Sequence, residues 1–133
     1  MQTRLFGKDF ITTEDWTVDE LTSMMDLAGD LKRRFAIGEP HDHILRSKTL
    51  FMMFFEESTR TRNSFESGVT QLGGHGIYLT PSATQVGHGE NARDTIGVLQ
   101  RYGHGIAVRD CRTGIGQAYQ YELAKEGDIP VIS

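Results

Sequence analysis

TLFMMFFEESTRTRNSF, residues 49–65, places Ser58, Thr59, Arg60, Thr61 and Arg62 directly behind an unbroken apolar run. A run of that length suits a strand buried on both faces, as in a parallel sheet, although periodicity alone leaves a helix open. The residues behind the run favour the strand. From about Thr59, the residues Thr61, Phe65, Val69 and Leu72 recur at helical spacing until Gly73-Gly74 stops them. Residues 49–72 therefore read as strand then helix, with hydroxyls and guanidiniums gathered at the joint.

The pattern continues on both sides. Upstream, Thr17 and Glu20 form a capping box, Trp16 is positioned to staple onto Leu21, and Leu21, Met24, Met25, Ala28, Leu31 and Phe35 give a helical stripe. Gly38 and Pro40 end that helix, and residues 39–48 are a polar connector. Downstream come a short strand at 77–79, a loop at 81–89, a helix at 90–102, a strand at 106–108, a helix at 115–126 and a strand at 129–132. QLGGHGIYL and LQRYGHGIAV echo each other as helix end, glycine stop and strand, which is the repeat of one βα unit. This alternation specifies an α/β fold: a four-stranded parallel sheet flanked by helices on both faces, Rossmann-like in plan. At 133 residues the chain is one domain, 1–133. It stops at Ser133, straight after a strand that reads as buried. A longer parent polypeptide is therefore expected, and the last strand is expected to leave an edge open to association.

Composition narrows the ligand. Fourteen lysines and arginines against eighteen acids give a net charge of −4, so there is no broad basic face for nucleic acid. A local cationic cluster in an acidic chain points to a small anion. Neither a signal peptide nor a membrane span is read in the sequence, which makes a cytoplasmic location the expectation. Cys111 is a lone cysteine and reads as a spectator. His41-x-His43 reads as a solvated turn, no metal is expected, and Gly114-x-Gly116 is too short for a dinucleotide fingerprint, so no cofactor is expected either. No G-x-x-x-x-G-K-[ST] supports a nucleotide loop.

The joint itself suits an oxyanion. In open α/β sheets ligands bind beyond the carboxyl ends of the strands. A helix amino end offers free N–H groups and a partial positive charge, where phosphate settles. Ser58, Thr59 and Thr61 add hydroxyls, and an arginine adds a fork that matches phosphate oxygens. Two helical residues advance by about 200°, so Arg60 and Arg62 point to opposite sides and only one can hold the ligand. Of Glu56 and Glu57, one is expected to pair with an arginine and hold it.

Ser58-Thr59-Arg60-Thr61-Arg62, followed by Ser64-Phe65-Glu66, resembles the S-T-R-T-R signature of the aspartate and ornithine carbamoyltransferases. Gln85 to Glu90 with Asp94-Thr95 resembles the loop after the second strand in the ornithine type, and Gly105 to Arg109 the third strand with its terminal arginine. The resemblance implies the family's carbamoyl-phosphate-binding domain, with the second, amino-acid-binding domain absent from residues 1–133. It implies that Ser58, Thr59, Arg60 and Thr61 hold carbamoyl phosphate or phosphate. Arg60, Thr61 and Arg109 would act on the reacting group, and Gln85 would reach the site of an adjacent subunit in a homotrimer. Arg62 would be mainly structural. The implied reaction transfers a carbamoyl group to an amine, with ornithine favoured and citrulline the product, and the isolated chain is expected to be inactive alone. His88-Gly89 stands where many members carry lysine, and Arg109-Asp110-Cys111 differs from the Arg-His-Pro of the aspartate type. Two other readings are a non-catalytic phosphate-binding or trimerisation module and an inactive carbamoyltransferase-like paralogue.

Overall fold

The computed structural model describes residues 4–133. Eight main elements succeed one another: α1 (Val18–Ala36), β1 (Thr49–Phe54), α2 (Arg60–Gln71), β2 (His75–Leu79), α3 (Ala92–Tyr102), β3 (Gly105–Arg109), α4 (Gly116–Glu126) and β4 (Val131–Ile132). The strands form one parallel sheet in the order β2-β1-β3-β4.

The apolar run becomes β1, an inner strand with Phe51, Met52, Met53 and Phe54 all buried. Strand alternation sends these residues to opposite faces. Phe51 and Met53 join Ile106, Val108 and Val131 beneath Ala92 and Ile96 of α3 and Leu123 of α4. Met52, Phe54 and Ala107 face the other way, against Phe65 of α2. A strand covered on both faces has no solvent side to mark with polar residues, hence its unbroken apolar sequence.

Differences from the expected plan lie at the margins. β4 is two residues long, because Pro130 has no N–H to give a ladder. The loop after β2 contains two short 3-10 turns, Pro81–Ala83 and Gln85–His88. The outer edge of β4 is not left open. Phe10 bridges Ile132 in parallel, with Phe10 N–H donating to Val131 O at 2.8 Å and Ser133 N–H to Phe10 O at 2.9 Å. Asp9 Oδ1 accepts the Val131 N–H at 2.7 Å.

The capping box of α1 forms in full, with Thr17 and Glu20 exchanging bonds. Trp16 packs edge-on to Phe10 at 4.8 Å and donates from Nε1 to Asp9 O at 3.0 Å. The helical stripe of α1 is only partly covered: Met25 and Phe35 stay 65% and 56% exposed. Spacing gives a helix its apolar side but does not say what lies against it.

Candidate functional site

The order β2-β1-β3-β4 means that the chain leaves β1 toward one edge and later returns to build toward the other. The helix after β1 and the helix after β3 consequently lie on opposite faces, and a crevice opens between the carboxyl ends of these two neighbouring strands. Such a switch point is where open α/β sheets bind ligands.

Both predicted parts of the site arrive there. Phe54 and Arg109 are register partners, and Phe55 N–H donates to Arg109 O at 2.8 Å. α2 begins at Arg60, straight after the crevice. Ser58 Oγ accepts the Thr61 N–H at 3.2 Å, so this hydroxyl caps the helix while its own hydrogen stays available. Arg109 crosses from β3 and donates from Nη1 to Thr61 Oγ1 at 3.4 Å. Ser58, Thr61 and Arg109 are thus joined through Thr61 into one group.

The two arginines of α2 diverge. Arg62 lies 3.7 Å over the Tyr78 ring and pairs with Glu66 at 3.5 Å. Arg60 is exposed and has no protein partner among the described residues. Thr59 is exposed at the N-cap position, and its carbonyl accepts from the Asn63 side chain at 2.7 Å. Gln85 sits at the same end of the sheet, exposed in the second 3-10 turn, and its carbonyl accepts from Glu90 N–H at 3.1 Å. None of its hydrogen bonds joins it to Ser58, Thr61 or Arg109.

Comparison of helix amino ends shows why α2 stands out. α1 and α3 are capped by their own side chains and carry acids in the first turn, Asp19 and Glu20 in one and Asp94 in the other. Their dipoles are already met by carboxylates. The first turn of α2 has no acid and is flanked by Arg60 and Arg109. α4 also lacks a first-turn acid. There, however, the Asp110 carboxylate lies close by: a Cβ on Gly116 would come within 3.0 Å of Asp110 Cγ.

Sequence reasoning missed the network behind Arg109. Among the described residues, neither Glu56 nor Glu57 forms an ion pair with an arginine. Glu56 Oε1 instead accepts the Cys111 N–H at 3.0 Å. The arginines have other engagements: Arg109 reaches Thr61, and Arg112 is held by Asp110 through Nε at 2.8 Å and Nη2 at 2.5 Å. Hydrogen bonds from Arg112 hold the Asp110 carboxyl below its usual range, and the same pairing raises Arg112. Glu56 Oε2 and Arg109 Nε are buried without a hydrogen-bond partner among the described residues. The cue available in the sequence was the Asp-x-Arg spacing at 110–112, which lets one side chain fork onto the other.

An apolar hollow lies elsewhere. It measures about 640 Å³ and sits at the amino ends of β1 and β3, under Phe65 and Val69 of α2 and Leu72 just after it. Its walls are mainly apolar, which does not suit a phosphate. Arg109 and the start of α2 lie at the opposite end of the strands. Among the described residues no group of three His, Cys, Asp or Glu could hold a metal, and no helix is long and apolar enough to cross a membrane.

Comparison with known proteins agrees with this fold. The family described as aspartate/ornithine carbamoyltransferase, carbamoyl-P binding domain, matches residues 8–133. Ornithine carbamoyltransferase of Syntrophotalea carbinolica is 45% identical over 126 residues, covering 95% of this chain and 40% of the relative. The Pyrococcus furiosus ornithine carbamoyltransferase structure superposes with a TM-score of 0.88 at 38% identity, over 98% of this chain and 40% of that one. Trypanosoma cruzi aspartate transcarbamoylase, solved with carbamoyl aspartate and phosphate, gives a TM-score of 0.82 at 26% identity, over 97% of this chain and 38% of that one. The chain thus spans about two fifths of the length of the relatives it matches. On the fold, the order of its segments and these matches together, the chain belongs to the aspartate/ornithine carbamoyltransferase family, aligned with its carbamoyl-phosphate-binding domain.

Proposed function

We propose that residues 1–133 form the carbamoyl-phosphate-binding domain of a carbamoyltransferase that passes the carbamoyl group to an amine and releases phosphate. The observation that carries this is the meeting of Arg109 with the amino end of α2 at the switch point, Nη1 to Thr61 Oγ1 at 3.4 Å. Ser58, Thr59, Arg60 and Thr61 hold the phosphate, with Arg109 closing over it from β3. In the reaction the amine nitrogen bonds to the carbonyl carbon, and negative charge builds on the carbonyl oxygen and then on the departing phosphate. Arg60, Thr61 and Arg109 are fixed donors at those positions, and donors of this kind act mainly by stabilising developing charge. The departing phosphate takes up the proton that the amine loses, so no separate base is required. Ornithine is the favoured acceptor and citrulline the product, since the relatives at 41–45% identity are ornithine carbamoyltransferases. Gln85, exposed on its turn, is assigned to an adjacent subunit's site in a homotrimer. A cytoplasmic location fits this metabolic role.

The test is thermal unfolding of this chain with carbamoyl phosphate, phosphate or ATP. Ligand that binds only the folded state adds stability by mass action, about 2.7 kcal/mol at a hundredfold excess over Kd. Carbamoyl phosphate and phosphate are expected to raise Tm, and ATP is expected to do less. A larger shift with ATP, or none with carbamoyl phosphate, would overturn the assignment.

A further inference from the structure

We infer that Asp110 and Arg112 are positioning residues for the anion site: their ion pair fixes the turn after β3 and so aims Arg109 at the ligand. This rests on the proposed phosphate site. The Asp110 side chain is 0% exposed, whereas that of Arg112 is 45% exposed. A carboxylate out of water needs its lone pairs met. Here Arg112 supplies its fork, Nε at 2.8 Å and Nη2 at 2.5 Å, and its own backbone N–H at 3.2 Å.

The same guanidinium lies 4.5 Å from the centre of the Phe55 ring. Phe55 is braced from another side by Tyr119, edge-on at 5.5 Å, and its N–H is bonded to Arg109 O. Between the members of the pair, Cys111 N–H is held by Glu56 Oε1 at 3.0 Å. α4 presses on the turn from behind, because a Cβ on Gly116 would come within 2.1 Å of Asp110 O. The backbone after Arg109 is therefore clamped by β1, by the Phe55 ring and by α4 at once. Among the described residues, the Arg109 side chain has one long bond, 3.4 Å to Thr61, and a buried Nε without a partner. Its side chain is weakly held by its own contacts, so its direction depends on the rigidity of the turn behind it.

Net charge and positioning predict opposite signs for one substitution. Asp110→Asn removes a negative charge close to the site, and Coulomb attraction alone would make phosphate bind more tightly. Positioning predicts weaker binding, because the amide cannot accept the fork on both sides. The measurement is calorimetric titration of the chain with inorganic phosphate. Arg112→Gln is expected to weaken binding about 10-fold, and Arg112→Lys less, since an ammonium keeps the charge but cannot make the two-pronged contact. In an Arg109→Ala background, Arg112→Gln is expected to change affinity by less than about 2-fold, because nothing is left to aim. Tighter binding by Asp110→Asn, or an equal loss from Arg112→Gln with and without Arg109, would overturn the inference. If Asp110→Asn does not fold, the Arg112 variants alone decide it. Absence of phosphate binding in the unsubstituted chain would instead remove the proposed function on which it rests.

Discussion

Arg60→Ala is expected to remove the thermal stabilisation of this chain by carbamoyl phosphate. Arg60 has no partner among the described residues, so the substitution leaves no orphaned group behind. Stability without ligand should stay within about 0.5 kcal/mol of the parent, as for exposed positions in general. The loss falls on the anion. Hydrogen bonds to charged groups contribute about 1.5–3 kcal/mol, and a bidentate arginine makes two of them. Binding should weaken about 100-fold, enough to abolish the Tm shift at millimolar ligand. Arg62→Ala is the matched control. It loses the Tyr78 stacking and the Glu66 pair, so it should lower intrinsic stability modestly while leaving the ligand-induced shift in place. The opposite result, with Arg62 required and Arg60 dispensable, would mean that the ligand lies on the other side of α2.

The second large effect is expected at the far end of the same helix. Gly73 has φ +88°, and Cβ added there would lie 1.7 Å from Asp42 O. Its N–H donates to Thr70 O at 3.0 Å, and Gly74 N–H donates to Val69 O at 2.8 Å. This is the paired-bond helix ending that favours a left-handed residue. Gly73→Ala combines a strained backbone, about 1–3 kcal/mol, with a clash against main chain that cannot swing aside, about as much again. Loss of about 3–5 kcal/mol is expected, a large part of the stability of a domain this size. Urea unfolding reads it directly. A change under about 0.5 kcal/mol would show that the connector before β1 does not pack on the end of α2.

Much of the architecture was readable because a few residues carry it without ambiguity. The run at 49–55 favoured an inner strand because a helix period began behind it. The glycine pairs and caps marked element ends to within a residue or two. Other features had no local signal. Phe10 sits in a polar stretch, and nothing in its neighbours says that it extends the sheet beside Ile132. The spatial order of the strands places Arg109 next to Thr61, yet that order is a property of the crossovers and not of either segment. Arg109 entered the site by resemblance before its geometry gave it a physical place. The Asp110–Arg112 fork was missed for the reverse reason. Its two residues are almost adjacent in sequence, but their importance comes from burial of Asp110 and from Phe55, which is distant in the chain.

A crystal of this chain soaked in phosphate would test the central assignment most directly. The oxyanion should rest against the first N–H groups of α2, about 3 Å from the Arg60 and Arg109 guanidiniums. An oxyanion lodged at the amino end of α4 instead, with Arg60 extended into solvent, would contradict it.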